Sequence, residues 1–171
     1  MRKHLLLSAA VVAVDQVTKA LIVRFVPEGT VALSLFGDFL RIVHVRNDAV
    51  AFSLGSSLSL TVKMALFVLL PLVLVAGISI VICSDKLSGD FTKGQRWCLA
   101  GIAGGGAGNL VDRLFRSLRV VDWISTNNYG WFGMERFPTY NLADAAVVVS
   151  VAMFIILALR EQARSGSVKE N

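Results

Sequence analysis

Met64-Ala-Leu-Phe-Val-Leu-Leu-Pro-Leu-Val-Leu-Val-Ala-Gly-Ile-Ser-Ile-Val-Ile-Cys83 runs without a single charge. A helix needs about 20 apolar residues to cross the hydrocarbon core of a bilayer, so this segment reads as a transmembrane span. Pro71 within it is compatible with that reading, because a membrane span accommodates a proline kink. The apolar pattern extends back to Leu60, and three further stretches resemble it: Leu5–Phe25, Trp97–Phe115 and Asn141–Leu159. Composition agrees. Of 171 residues 55% are hydrophobic and only 17% charged, against about 25% charged in an ordinary soluble domain. The expectation is an all-α membrane protein with four transmembrane helices, roughly 5–25, 60–83, 97–115 and 141–159, in one domain over 1–171.

The start, Met1-Arg-Lys-His before Leu5-Leu-Leu-Ser-Ala-Ala-Val-Val, has the look of a cleavable signal segment. The apolar pattern resumes beyond Asp15 and Lys19 with Ala20-Leu-Ile-Val, which favours an uncleaved first span. Four spans put both termini on one side. Arg2, Lys3, Lys86, Lys93, Arg96, Arg160, Arg164 and Lys169 fall on that side, in short dense flanks. Short basic flanks face the cytoplasm, so cytoplasmic termini are expected. The net charge of +5 suits contact with anionic membrane lipid. No basic–aromatic tract suggests nucleic acid. Cys83 and Cys98 flank the Ser84–Arg96 loop without metal-site spacing and read as packing residues, a disulfide between them remaining open.

The longest loop, 26–59, carries two alternating stretches, Val31-Ala-Leu-Ser-Leu-Phe and Phe39-Leu-Arg-Ile-Val-His-Val-Arg, with Gly37-Asp38 as a turn signal between them. Leu40, Ile42 and His44 are expected on one face of the second strand, and Arg41, Val43 and Val45 on the other. A small sheet at the membrane surface follows. The other long loop, 116–140, holds Trp123, Tyr129, Trp131 and Phe132 and reads as an interfacial segment with a turn at Asn127-Asn-Tyr-Gly.

Polar residues inside such a chain carry the functional question, because ionisable groups at membrane depth are costly. Asp15 and Lys19, four apart, share a helix face and can pair. The run Ala100-Gly-Ile-Ala-Gly-Gly-Gly-Ala-Gly108 gives the third span small faces suited to close helix packing. Asn109 and Arg113 then share one face, and Asp112 and Arg116 another. Asn141 suits a helix N-cap, and Asp144, three residues on, reads equally as a first-turn acid complementing the helix dipole. Asp122 in Val120-Val-Asp-Trp-Ile reads, taken alone, as a loop carboxylate. Together with Asn109 and Arg113 these residues suggest one converging polar site. Two converging carboxylates can share a proton and activate water for peptide hydrolysis. No metal or other cofactor is expected, since His4 and His44 have no ligand-spaced companions.

Five ordered blocks then make the chain recognisable: Asp15-Gln-Val-Thr-Lys19, Asn47-Asp-Ala-Val-Ala-Phe52-Ser, Gly104-Gly-Gly-Ala-Gly-Asn109-Leu-Val-Asp112-Arg113, Val120-Val-Asp122-Trp-Ile and Phe137-Pro-Thr-Tyr-Asn141-Leu-Ala-Asp144. In order and spacing they resemble the lipoprotein signal peptidases, the type called signal peptidase II. The resemblance implies four transmembrane helices, an extracytoplasmic β-cradle and an interfacial helix within the first long loop. It places an aspartic dyad at Asp122 and Asp144. Asn47, Asn109, Arg113 and Asn141 match positions lining the site, and Asp15 and Lys19 match the polar pair of the first helix. Two departures stand out. Asp48, Ala49 and Val50 replace the middle of a block that usually reads Asn-Thr-Gly-Ala-Ala-Phe, and Ala145 replaces a common serine.

The implied activity is a membrane aspartic endopeptidase of the bacterial cytoplasmic (inner) membrane. It would cut diacylglyceryl-modified prolipoproteins on the amino side of the lipidated cysteine. A monomer suffices, and the resemblance implies inhibition by a globomycin-type cyclic peptide. The rival reading is a small proton-coupled membrane transporter using Asp15, Lys19, Asn109 and Asp144 inside a bundle. It differs in making Asp122 dispensable.

Overall fold

The computed structural model describes residues 2–48 and 58–169. α1 (Arg2–Phe25) leads into strands β1 (Val31–Leu35) and β2 (Leu40–Asn47). α2 (Leu60–Met64), a π-helical turn (Ala65–Leu69) and α3 (Leu70–Cys83) follow as consecutive helical segments, then the short α4 (Asp85–Ser88). α5 (Lys93–Phe115), β3 (Val120–Thr126), a 3-10 turn (Trp131–Gly133) and α6 (Leu142–Lys169) complete the order. The interfacial helix expected in the first loop, with Ala49 and Val50, lies outside the described residues.

Among the described residues three helices are long and apolar enough to cross a membrane: Lys3–Phe25, Leu60–Cys83 and Leu142–Arg164. The expected third span is a helix of 23 residues, α5, but it is not among them. Its position explains the difference. α5 packs against α6, α1 and α3 and so occupies the middle of the bundle. A helix shielded by its neighbours needs small side chains more than apolar ones. A Cβ on Gly104 would meet the α1 backbone at Ser8 at 2.9 Å, and one on Gly105 would meet the Ala143 carbonyl of α6 at 2.4 Å. The glycines therefore set how closely α1 and α6 approach.

The bundle is apolar outside and polar inside. Leu6, Val17 and Leu21 of α1, Leu72 and Val73 of α3, and Val148 and Ile155 of α6 are exposed, whereas Asp15, Lys19, Asp112 and Asn141 are wholly buried. That arrangement suits hydrocarbon as solvent. Cys83 and Cys98 are free thiols; only Cys98 is buried, so packing describes that one alone.

Both expected strands form, and the turn at Phe36–Phe39 has left-handed backbone at Phe36, Gly37 and Asp38. Arg41 and Arg136 both bind the Asp38 carboxylate and brace the turn. The sheet has a third strand. β3, expected as interfacial loop, pairs antiparallel with β2 in the order β1-β2-β3. Its Val120-Val-Asp-Trp-Ile has strand composition, but the surrounding aromatic and polar residues mask it.

The expected alternation of β2 fails at one point. Ile42 pairs with Ile124, but Val45 pairs with Asp122, a slip of one residue. Without it His44 would oppose Asp122, and Asn47 would project from the opposite face. The bulge brings Asn47 opposite Val120, on the face of Asp122 and diagonal to it. Val43 and His44 both become buried there, and His44 Nδ1 lies 2.7 Å from the Val26 carbonyl.

Candidate active site

Three elements, β3, α5 and α6, converge at the candidate site. β3 carries Asp122, the C-terminal half of α5 carries Asn109, Asp112 and Arg113, and the first turn of α6 carries Asp144. Asn141 sits immediately before α6 and caps it. Its Oδ1 accepts from the Asp144 N–H at 3.0 Å, while Asp144 Oδ2 accepts from the Asn141 N–H at 3.1 Å. This is a reciprocal cap with an aspartate in the third position, so the sequence expectations of N-cap and first-turn acid both hold.

The Asn141 amide also reaches across to the other carboxyl. Its Nδ2 donates to Asp122 Oδ1 at 2.7 Å and to Asn109 Oδ1 at 3.1 Å. Asn47 Nδ2 donates to the second oxygen, Asp122 Oδ2, at 3.0 Å. Asn109 Nδ2 donates to Asp144 Oδ1 at 2.6 Å. Each carboxyl thus receives donors at both oxygens, and one asparagine contacts both.

Behind the site lies a network centred on Asp15, Lys19 and Asp112, whose side chains are wholly buried. Lys19 has three N–H donors and three partners: Asp15 Oδ2 at 2.8 Å, Asp112 Oδ2 at 3.0 Å and Asn109 Oδ1 at 2.9 Å. The sequence expectation of an Asp15–Lys19 pair is met, and Asp112 joins it. The two acids also hold the elements that bear the site. Asp15 Oδ1 accepts from the N–H of Ala143, next to Asp144, at 3.0 Å. Asp112 Oδ2 accepts from the N–H of Val121, next to Asp122, at 3.0 Å. Gln16 Nε2 bridges Asp15, Asp112 and the Gly108 carbonyl at 3.2, 3.0 and 3.0 Å. Sequence reasoning does not single out Gln16, and it pairs Asp112 only with Arg116 on a shared helix face. The Arg116 pairing exists, at 2.7 Å. An acid three residues beyond Asn109, hence its neighbour on the helix surface, was the available signal for Asp112.

A cavity of about 380 Å³ opens over the carboxyls. Asn47, Asn109, Arg113, Asp122, Tyr140 and Asp144 line it. Arg113 lies over the Phe67 ring, its Cζ 5.7 Å from the centroid, within cation–π range. Phe67 belongs to the π-helical turn that precedes Pro71 and is buried there. Such turns relieve a helix interrupted by a missing donor and often re-aim side chains at functional sites. Burial pushes the Asp122 carboxyl from its ordinary 3.8 up to about 7, and the nearby charge of Asp144 adds to the push. Hydrogen bonds from Asn47 and Asn141 and the charge of Lys19 oppose it. Among the described residues no three of His, Cys, Asp and Glu converge as metal ligands.

A family model described as "Signal peptidase (SPase) II" matches residues 7–160. This chain belongs to the signal peptidase II family. Relatives agree with the match. The lipoprotein signal peptidase of Borrelia hermsii is 39% identical across 85% of this chain and 82% of its own length. That of Treponema denticola is 42% identical across 84% and 80%. A solved structure titled "Bacterial membrane enzyme structure by the in meso method at 2.3 A resolution" superposes with a TM-score of 0.78 at 27% identity, covering 96% of this chain and 92% of that one. A second with the same description at 1.9 Å gives 0.75 at 26% identity, over 93% and 94%. Membership in signal peptidase II, with these apolar helices, makes the chain a multi-pass membrane peptidase. Nothing found favours a transporter.

Proposed function

We propose that the chain is an aspartic endopeptidase that removes the signal peptide from diacylglyceryl-modified prolipoproteins, with Asp122 and Asp144 as its dyad. One observation carries the reading: two carboxyls face a single cavity, contacted by the same Asn141, and one is held near 7 by burial. Two like charges at close range resist joint ionisation, so the dyad holds one shared proton at neutral pH. Asp122, the more deeply buried carboxyl, is the residue to hold it. Ionised Asp144 takes a proton from water. Asp122 gives its proton to the scissile carbonyl oxygen as the hydroxide adds to carbon. Collapse of the tetrahedral species returns a proton to Asp122, and Asp144 passes its own to the departing amine. Asn47, Asn109 and Asn141 position the carboxyls, and the Arg113 guanidinium offers planar donors to substrate carbonyls. Asp15 and Lys19 support the site through Ala143 and Asn109.

Substrate class comes from the relatives' names and from the lipid-facing surface. α5 completes a four-span bundle on this reading, with the sheet outside and both termini in the cytoplasm, in the bacterial inner membrane. A monomer suffices, and a globomycin-type peptide would compete for the same cavity. The test is cleavage of a diacylglyceryl lipobox peptide by the purified protein beside Asp122→Asn and Asp144→Asn. Cleavage before the cysteine, lost in both variants, is expected. Persistence in either variant overturns the dyad.

A further inference from the structure

Where β2 slips against β3, two residues of β2 oppose one of β3. Ile42 pairs with Ile124 and Val45 with Asp122, so Val43 and His44 together face Trp123. An extra residue in one strand disrupts the ladder locally and changes which face the following side chains take. Val43 and His44 are both buried, where strict alternation would have put them on opposite faces. With its ladder interrupted, the strand needs a hold from outside the β2–β3 pair.

The segment between α1 and β1 supplies that hold, and His44 is where it grips. The His44 carbonyl accepts from the Gly29 N–H at 2.8 Å, and the His44 N–H donates to the Thr30 carbonyl at 3.2 Å. The side chain adds a third bond, from Nδ1 to the Val26 carbonyl at 2.7 Å. A carbonyl only accepts, so Nδ1 carries the proton. Val26 lies just past the last residue of α1, and Pro27 stops the helix from continuing. Its carbonyl is one of the helix-end acceptors that lack an intrahelical donor, and the buried imidazole caps it. Nε2 has no protein partner among the described residues, so the Nδ1 bond is the polar contact this side chain makes. Glu28, in the same segment, pairs with Arg46 at 3.2 Å and with Arg119, ahead of β3, at 3.7 Å. Glu28 is half-exposed, which weakens those pairs and leaves the buried His44 bond as the firm one.

Three residues further on, the phase of the strand decides the site. Asn47 comes opposite Val120 on the face of Asp122, and its Nδ2 donates to Asp122 Oδ2 at 3.0 Å. With Val43 and His44 in plain alternation, Asn47 would project from the other face. We infer that His44 is a positioning residue for the reaction: its bond to Val26 holds the β2 bulge in the phase that turns Asn47 onto Asp122. The catalytic consequence rests on the reading of Asp122 as a dyad acid. The charged groups around Asp122 are Asp144 of α6, Arg113 of α5 and Lys19 of α1. His44 acts on the carboxyl through Asn47 rather than through any of these.

His44→Leu removes the donor at similar size, and His44→Asn puts an amide N–H where the Nδ1–H stood. Both are made in the full chain, in wild type and in Asn47→Ala, and melting curves establish that each folds. Two quantities are read. One is the alkaline limb of kcat/KM on a diacylglyceryl lipobox peptide. The other is the titration of the protonated Asp122 carboxyl by infrared difference spectroscopy, assigned by its loss in Asp122→Asn. Asn47 favours the ionised form of Asp122. His44→Leu should therefore move both readings upward by up to about one pH unit, the equivalent of one charge-assisted hydrogen bond. In Asn47→Ala it should move neither any further, and His44→Asn should restore both. If His44→Leu does not fold, His44→Gln, with its donor one methylene too far out, takes its place. An equal shift in the Asn47→Ala background, no shift in a folded variant, or no rescue by asparagine would overturn the inference. Failure of wild type to cut the peptide would overturn the dyad reading instead, and the infrared titration would still decide whether His44 acts on Asp122.

Discussion

Lys19 donates from Nζ to Asn109 Oδ1 at 2.9 Å, and this contact determines which end of the Asn109 amide faces the carboxyls. An ammonium has no lone pair to offer, so Asn109 must present its oxygen to Lys19. Its NH₂ then turns toward Asp144, where it donates at 2.6 Å. A first-helix cation thus sets the polarity of a hydrogen bond made in the candidate active site.

Removing that cation should damage folding before chemistry. Lys19→Met leaves Asp15 and Asp112 buried together without their shared partner. Breaking a buried pair in this way costs about 3–5 kcal/mol. Asp15→Asn keeps Lys19 paired with Asp112 and should cost clearly less. Thermal unfolding of both variants in detergent checks the order; a milder Lys19→Met would contradict it.

Replacing either acid of the proposed dyad with its amide should lower kcat by roughly 10²- to 10⁴-fold, the usual range for a lost acid–base group. Substrate binding should survive, because the cavity keeps its shape. Titration of each variant with a lipidated peptide, alongside kcat, separates the two effects.

Asp122 gives the protein a pH signature. Held up to about 7 against 3.8, it keeps its proton in the fold across an interval where the unfolded chain has released it. Stability from this group is full below about pH 4 and falls as pH rises through about 7. Activity should decline in the same upper range as the proposed dyad loses its shared proton. Asn47 favours the ionised form through its bond to Oδ2. Asn47→Ala should accordingly move the alkaline limb of kcat/KM upward; a downward shift would refute the role given to Asn47.

The glycines of α5 differ sharply from the glycine of α3. A Cβ at position 105 would lie 2.4 Å from the Ala143 carbonyl, whereas one at Gly77 meets nothing within 4 Å. Gly105→Ala should destabilise by about 1–3 kcal/mol and loosen the first turn of α6 beneath Asp144. Gly77→Ala should be tolerated, as comparative melting curves would record.

The departure at Asp48 has a structural partner. Asp48 accepts from Lys63 Nζ at 2.9 Å, and Lys63 is the one charge in Leu60–Cys83. The bond, followed by desolvation in the opposite sense, holds the half-exposed Asp48 carboxyl below its ordinary value. With the Asp48 side of the pair half exposed, the bond contributes at most about 1 kcal/mol. Lys63→Ala should shift the melting temperature slightly in low salt and not at all in high salt.

Membrane character, the helical spans at 5–25 and 60–83, the Asp15–Lys19 pair and the cap at Asn141–Asp144 were legible in sequence because each is a local pattern. Hydrophobic run length, i to i+4 spacing and cap chemistry act within a few residues, so composition and periodicity suffice to reveal them. The ordered motifs likewise led to the signal peptidase II family. Three features were decided only by tertiary structure. β3 exists because Val120–Thr126 finds β2 as a partner, and its own residues do not announce the pairing. The bulge between Ile42 and Val45 exists because of that pairing, and it alone turns Asn47 toward Asp122. Asp112 and Gln16 join Lys19 only where α1 and α5 touch. These are contacts between segments about 75 to 100 residues apart in sequence, and their energy depends on register and burial that no single segment encodes. The chain supplied the two carboxyls; the fold made them neighbours of one Asn141 and raised Asp122.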